Sequence, residues 1–257
     1  MKFIIEKELL LPVLQQLVGV IEKRQTMPIL GNILINADSG FLSLTGTDLE
    51  IQLRAKIPAS VNEAGSITIP ARKLLDLCRH LPSNCEITFA LHSDKVRVTT
   101  NSGRFIFSCL PSESYPDFSE SAFSKNFTLP SNILISALSK TLFCMANQDV
   151  RYYLNGLLLS VSASTLKLVA SDGHRLSIFE TKLNIPLEID ERLILPRKGA
   201  LELYRLLNNV SGDITICFSS SNIKITLDQL TFSAKLVDAK YPDFSKVFQQ
   251  EFLPPIK

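Results

Sequence analysis

The residue types best suited to chemistry lie in two short polar stretches near the middle of the chain. The first, Gln148–Gly156, contains one arginine and two tyrosines, and the second, Ser171–Leu176, contains Asp172 and His174. An aspartate and a histidine can act together in proton transfer, but no nucleophile at a suitable spacing, phosphate-binding loop or metal cluster accompanies them. Arginine and tyrosine instead suit the recognition of carbonyl, carboxylate or phosphate groups. The two stretches therefore indicate a binding site, and we predict no catalytic residue, no metal site and no cofactor.

The composition is that of an ordinary globular protein. Of 257 residues, 46% are hydrophobic and 20% are charged, and the net charge is only +2. A protein that coats nucleic acid by bulk charge is far more basic, so any contact with DNA requires basic residues gathered on one face. No stretch approaches the ~20 apolar residues that span a bilayer, the N-terminus lacks a signal-peptide pattern, and five scattered cysteines fit reduced thiols. We expect a cytoplasmic protein with no membrane contact.

The sequence contains an internal repeat. Tyr115–Phe118, which reads Tyr-Pro-Asp-Phe, recurs 126 residues later as Tyr241–Phe244, and Pro70 has its counterpart at Pro196 with the same offset. A constant offset of this kind indicates duplicated modules. We predict one domain at residues 1–121, a second at 122–247, and a linker at 248–257 that is similar to the start of a third copy.

Each repeat shows the same order of predicted elements. A short strand precedes an amphipathic helix, alternating strands follow, and a second helix with further strands completes the repeat. The first helix is predicted to begin near Leu9, so that Pro12 falls in its first turn, where proline is tolerated. The predicted fold class is α+β, with two strand–helix–strands units per domain, antiparallel sheets, and two helices packed on one side.

Several motifs together resemble one family. They are Met27–Asn32, Leu44–Glu50, Pro70–Lys73, Gln148–Gly156, Ser171–Leu176, Leu195–Gly199 and Tyr241–Phe244. In order and spacing they resemble the bacterial DNA sliding clamp, the beta subunit of DNA polymerase III. The resemblance implies tandem clamp-type domains, with sheets outside and helices on the inner face. It also implies a ring of two head-to-tail subunits that encircles double-stranded DNA without sequence specificity. Such a ring tethers DNA polymerases, the clamp loader and repair proteins through short linear motifs. The family has three domains per subunit and this sequence shows two, so we expect ring closure only if a third domain is present.

The resemblance assigns residues to three surfaces. A sliding ring needs sparse contacts to phosphates, and the corresponding positions are Arg24, Gln148, Tyr152, Tyr153, Lys198 and Arg205. The partner-peptide pocket corresponds to Arg151, Leu154, Ser171, Gly173, His174, Arg175, Leu176, Pro242, Lys246 and Val247. The subunit interface corresponds to Lys73, Leu77 and Phe105.

Several of these residues have a second interpretation. Lys198 and Arg205 lie on the polar face of a predicted helix and also fit an ordinary solvated surface. At least one of the two tyrosines fits a core position, Leu77 lies on an apolar stripe, and Asp172-Gly173 fits a hairpin turn. For the whole chain, one alternative is a clamp fragment or paralogue that binds partners without closing a ring. Another is an enzyme that uses the second polar stretch.

Overall fold

The computed structural model describes residues 1–22, 27–116, 118, 123, 125–183, 190–208 and 210–244. Over these residues the chain forms four α-helices: α1 (Lys7–Val20), α2 (Ala71–His80), α3 (Ser131–Thr141) and α4 (Arg197–Leu207). Seventeen strands complete the described part: β1 (Lys2–Glu6), β2 (Asn32–Asp38), β3 (Phe41–Thr47), β4 (Ile51–Pro58), β5 (Ser60–Glu63), β6 (Gly65–Pro70), β7 (Glu86–His92), β8 (Lys95–Thr100), β9 (Gly103–Ser108), β10 (Lys125–Pro130), β11 (Gly156–Ser162), β12 (Thr165–Ser171), β13 (Leu176–Lys182), β14 (Asp190–Pro196), β15 (Asp213–Phe218), β16 (Asn222–Leu227) and β17 (Leu230–Lys235).

Helix α1 follows from the apolar period of its sequence, but its predicted start was wrong. The helix begins at Lys7 rather than near Leu9, so Pro12 lies in the second turn. The backbone N–H of Lys7 donates to the carbonyl of Cys85 at 3.0 Å, which anchors an earlier first turn to the segment before β7. The buried residues recur at intervals of three and four, which is the helical period: Leu10, Val13, Leu14, Leu17 and Val20.

An arginine at the start of the second helix ties the two helices of each repeat together. In the first repeat, Arg72 donates from its guanidinium to the carbonyl of Ile21 at 3.0 Å, just beyond the end of α1. In the second, Arg197 donates in the same way to the carbonyl of Met145 at 2.9 Å. Ile21 lies one residue past α1 and Met145 lies four residues past α3, so each arginine holds the segment that leaves the first helix against the start of the second.

Within the described residues all strand pairs are antiparallel, and the strands form three sheets. A five-stranded sheet has the order β5-β1-β7-β8-β9, and a four-stranded sheet has the order β13-β12-β11-β14. The third has eight strands in the order β10-β15-β16-β17-β4-β3-β2-β6 and crosses from one repeat into the other. The crossing is the β17–β4 ladder, where Leu230 lies opposite Ala55 and Phe232 lies opposite Leu53. The repeats are therefore joined by backbone hydrogen bonds.

The α+β class and the antiparallel sheets are confirmed. Helices α1 and α2 pack on each other in the first repeat, α3 and α4 do so in the second, and α1 touches α4 between them. The proposed boundaries at 121/122 and 247/248 fall outside the described residues, as does the linker at 248–257. No helix of the described part is both long and apolar enough to cross a membrane.

Candidate functional site

The first polar stretch folds into a loop that closes on itself. The side-chain amide of Asn155 donates to the carbonyl of Asp149 at 2.8 Å, and its oxygen accepts the Asp149 N–H at 2.9 Å. The Arg151 guanidinium donates to both carboxylate oxygens of Asp149, at 3.0 and 2.9 Å. These hydrogen bonds from Arg151 lower the pKa of Asp149 to about 2. The loop therefore holds the Arg151 side chain in a fixed direction.

The second polar stretch forms a tight turn around Asp172. One carboxylate oxygen accepts the backbone N–H groups of His174 and Arg175, both at 3.0 Å, and the other accepts Arg175 Nε at 2.9 Å. The hydroxyl of Ser171 donates to the carbonyl of Arg175 at 2.9 Å. The backbone hydrogen bonds, aided by the Arg175 side chain, lower the pKa of Asp172 to about 2. This is the hairpin turn that the sequence indicated.

Gly173 is the point at which the two stretches meet. Its φ of +88° lies in the left-handed region, and a Cβ at this position would come within 2.8 Å of a guanidinium nitrogen of Arg151. Only glycine combines that backbone angle with so close an approach. The guanidinium then donates to the carbonyl of Asp172 at 3.3 Å. Arg151 is thus placed by its own loop on one side and by the turn on the other.

The two stretches enclose one depression of about 440 Å³. Every predicted pocket residue that lies within the described part lines it, whereas Lys246 and Val247 lie outside that part. Leu154 is buried in the small apolar cluster beneath. The lining residues are Arg151, Tyr153, Leu154, Ser171, Gly173, His174, Arg175, Leu176, Tyr241, Pro242, Asp243 and Phe244.

Four lining residues were not among the predicted pocket residues. Tyr241, Asp243 and Phe244 belong to the repeated Tyr-Pro-Asp-Phe motif, so the repeat itself was the signal that could have identified them. Tyr241 is buried, and burial raises its pKa to about 12, which keeps the phenol neutral. Tyr153 was predicted for a DNA surface but lies in this depression. The depression therefore has aromatic and apolar walls with two arginines at its edge.

Two further residues of the predicted DNA surface, Gln148 and Tyr152, lie in the loop of the first polar stretch. Tyr152 is 59% exposed and meets the ring of Tyr153 edge to face at 5.9 Å. Gln148 begins the same loop with a left-handed φ of +57°. Neither tyrosine is a fully buried core residue. Arg24 lies outside the described residues.

Lys198 and Arg205 lie at the boundary between the repeats. Lys198 forms ion pairs with Glu22 and with the buried carboxylate of Asp48, both in the first repeat. Burial alone would lower the pKa of Lys198, but hydrogen bonds to these two acids outweigh it and the pKa is raised. Arg205 pairs with Glu202 and donates to the carbonyl of Gln16 at 2.9 Å. Both cations therefore already bind groups of the protein. The pairing of Arg205 with Glu202 follows from their spacing of three residues on the helix. The contacts with Glu22, Asp48 and Gln16 could not be predicted from helix spacing, because these partners lie more than 100 residues away.

The three residues of the predicted subunit interface differ in exposure. Lys73 is exposed on α2, and Leu77 is half-buried against the core on the same helix. Phe105 lies on β9, an edge strand, and it is 37% exposed next to Ile106, which is 67% exposed. An edge strand with exposed apolar side chains is suited to contact with another chain.

The geometry defines a class of protein: tandem α+β modules joined through a shared sheet, with a depression of about 440 Å³ in the second module. Residues 1–119 match the family described as DNA polymerase III beta subunit, N-terminal domain, and residues 128–243 match its central domain. The beta sliding clamp of Pseudomonas aeruginosa is 43% identical over 248 residues, which are 96% of this chain and 68% of that protein. The beta sliding clamp of Escherichia coli K12 is 40% identical with the same coverage.

Solved structures agree with the sequence matches. The crystal structure of the DNA polymerase III subunit beta from P. aeruginosa superposes with a TM-score of 0.93 at 43% identity, covering 96% of this chain and 68% of that one. A P. aeruginosa sliding clamp bound to griselimycin gives a TM-score of 0.92 at 43% identity, with 96% and 67% coverage. The chain belongs to the family of bacterial beta sliding clamps, and it spans about two thirds of the length of these relatives.

Proposed function

We propose that this chain acts in DNA replication as a sliding clamp, a processivity factor that encircles duplex DNA without reading its sequence. Membership of the beta clamp family supports this proposal. Its bound partners are DNA polymerases, the clamp loader and repair proteins, in the cytoplasm. The chain carries out no catalysis of its own in this role.

The depression between the two polar stretches is the observation that carries the partner-binding part of the proposal. Leu154, Leu176 and Pro242 give it apolar surface, and Arg151 and Arg175 stand at its edge. A volume of about 440 Å³ falls in the range of pockets that take small ligands or a few anchoring side chains. Guanidinium groups beside apolar walls suit a short linear motif, because they can bind its carbonyls or carboxylates while anchors fill the floor.

A binding assay with matched variants tests this site. The probe is a fluorescein-labelled six-residue peptide with one leucine and one phenylalanine anchor, followed by fluorescence polarisation. Leu176→Ala removes apolar wall, and we expect it to weaken binding about tenfold, as loss of an anchoring contact does. Leu201→Ala is the control, because Leu201 is an exposed leucine on α4 and does not line the depression. Equal losses in both variants would remove the support for a pocket here.

The DNA role of Arg24, Gln148, Tyr152, Tyr153, Lys198 and Arg205 remains part of the proposal. Contacts to phosphates predict binding that is independent of sequence and falls steeply with salt. Two duplexes of equal length and unrelated sequence should therefore bind equally in gel-shift titrations at each salt concentration.

Ring formation is proposed as a head-to-tail homodimer through the surface of Lys73, Leu77 and Phe105, with a third domain supplying the opposite face. The alternative is a form that binds partners without closing a ring; the chain spans 68% of the length of the P. aeruginosa relative. In light scattering this 257-residue chain should be a monomer, because the opposite face of the interface is assigned to a third domain, and a stable dimer would show that the residues present close a ring without it.

A further inference from the structure

A second groove lies at the boundary between the repeats, far from the two polar stretches in sequence. It has a volume of about 510 Å³ and runs between α1, the end of β4 and the β16–β17 turn, with residues 210–213 at its side. Leu9 is 41% exposed at its edge, and Pro12 and Val210 also offer apolar surface to solvent. The groove is therefore large enough, and apolar enough, to hold anchoring side chains of a peptide.

The charged side chains among the described residues that line this groove are all acidic. Glu8, Asp213 and Asp228 stand on three different elements around it, and all three are exposed. None of the described residues that line the groove is a lysine, an arginine or a histidine. The depression at the second repeat differs, because Arg151 and Arg175 line it together with Asp243. An acidic border also repels the phosphates of DNA, so the groove does not suit the polyanion.

The walls of the groove are held rigidly although they come from both repeats. The β17–β4 ladder joins them, and the backbone N–H of Lys56 donates to the carbonyl of Gln229 at 3.0 Å in the β16–β17 turn. Glu8 is oriented because one of its oxygens accepts the N–H of Asn84 at 2.9 Å. Asp228 is fixed by the turn itself, with a left-handed φ of +55°. A preformed groove lets a ligand bind without ordering the protein first.

We propose that this groove binds a basic, leucine-rich linear segment of a partner protein. The carboxylates of Glu8, Asp213 and Asp228 would face its lysine or arginine side chains, and its leucine side chains would cover Leu9 and Val210. Opposite charge at the border and apolar contact at the centre give both selectivity and affinity. The clamp would then hold two kinds of segment at once, each selected by the charge around its site.

The test uses a fluorescein-labelled Lys-Leu-Lys-Leu-Lys peptide and a matched Glu-Leu-Glu-Leu-Glu peptide, measured by fluorescence polarisation on the full chain. We expect the basic peptide to bind and the acidic peptide not to bind. The double variant Asp213→Asn/Asp228→Asn keeps the side-chain shape, and asparagine tolerates the left-handed φ at position 228. Loss of two exposed charge pairs should weaken binding about three- to tenfold.

Two controls separate the groove from general electrostatic attraction. Glu113→Gln/Asp190→Asn removes the same charge from exposed sites outside the groove and should leave the affinity unchanged. Leu9→Ala should weaken binding, whereas Leu201→Ala, at a leucine of similar exposure on α4, should not. Methyl NMR should show shifts of Leu9, Val13 and Leu230 on addition of the basic peptide. Equal binding of both peptides, equal losses in the two double variants, or shifts confined to Leu154 and Leu176 would each overturn the proposal.

Discussion

The turns at Asp48 and at Asp172 occupy matching places in the two repeats, and their local construction is the same. In each turn, one carboxylate oxygen accepts backbone N–H groups two and three residues further along the chain. The distances are 2.9 and 2.7 Å in the first turn and 3.0 Å for both bonds in the second. Equivalent sequence has therefore produced equivalent local structure.

The difference lies in the second carboxylate oxygen. In Asp48 it meets Lys198 of the other repeat, and the aspartate side chain is only 3% exposed. In Asp172 it meets Arg175 of the same turn, and the side chain is 24% exposed. One turn thus serves as a joint between modules, and the other serves as the wall of an open depression. The two turns are built alike, so the position of the partner cation determines whether the turn joins the modules or lines the depression.

The largest expected effect is on the free energy of unfolding, when the cation that pairs with Asp48 is removed. Lys198→Met leaves the buried Asp48 carboxylate without its ion pair. Such a loss costs several kcal/mol when both groups are buried, and because Lys198 is 31% exposed we expect about 2 kcal/mol. Arg175→Met removes a cation that is 58% exposed and should change the free energy of unfolding much less. Urea denaturation of both variants measures the difference, and equal losses would contradict a special role for the Asp48 joint.

The next effect concerns peptide binding and Gly173, which packs closely against the Arg151 guanidinium. Gly173→Ala adds a Cβ where Arg151 packs, so we expect the linear-motif peptide to bind about tenfold more weakly through loss of a charge-assisted contact. Gly40→Ala is the matched control, because Gly40 has a similar φ of +82° and no atom within 4 Å of the added Cβ. Both variants should lose similar stability from backbone strain, about 1 kcal/mol. If Gly40→Ala weakened the peptide equally, displacement of Arg151 would not be the cause.

The smallest expected effect is a loss of stability that occurs only at acid pH. Asp149 and Asp172 both have a pKa of about 2, below the ordinary aspartate value of about 3.9. Their contribution to stability is therefore fully present above about pH 4 and is lost as the pH falls through about 2. Carboxyl NMR titration should give midpoints near 2 for both residues, and a midpoint near 4 for Asp172 would mean that its turn is not formed in solution.

The repeat and the apolar periods were enough to predict the class of fold. They indicate the order of helices and strands because helical and strand periods are local properties of the sequence. The start of α1 was wrong by two residues because a distant carbonyl, that of Cys85, anchors its first turn. The shared eight-stranded sheet was not predicted, since the pairing of β4 with β17 depends on strand register between segments about 180 residues apart.

Most residues of the candidate pocket could be predicted from the sequence, because they lie in the two short polar stretches. Arg151, Gly173 and Arg175 could be assigned from motif resemblance, and each lines the same depression. The ion pairs of Lys198 could not be predicted from its position on α4, because its partners Glu22 and Asp48 belong to the other repeat. The DNA contact of Tyr153 stays a prediction, and its place in the depression was not predicted because adjacent residues of a short loop can point to different surfaces.

The β4–β17 ladder has a mechanical consequence. A hinge between two modules bends at a flexible connection, but here five residue pairs join the modules side by side. Several hydrogen bonds must stretch together before either module can turn against the other, so a load is shared along the whole seam. The two modules should therefore resist bending at this seam, and a ring built from them would open at a different joint.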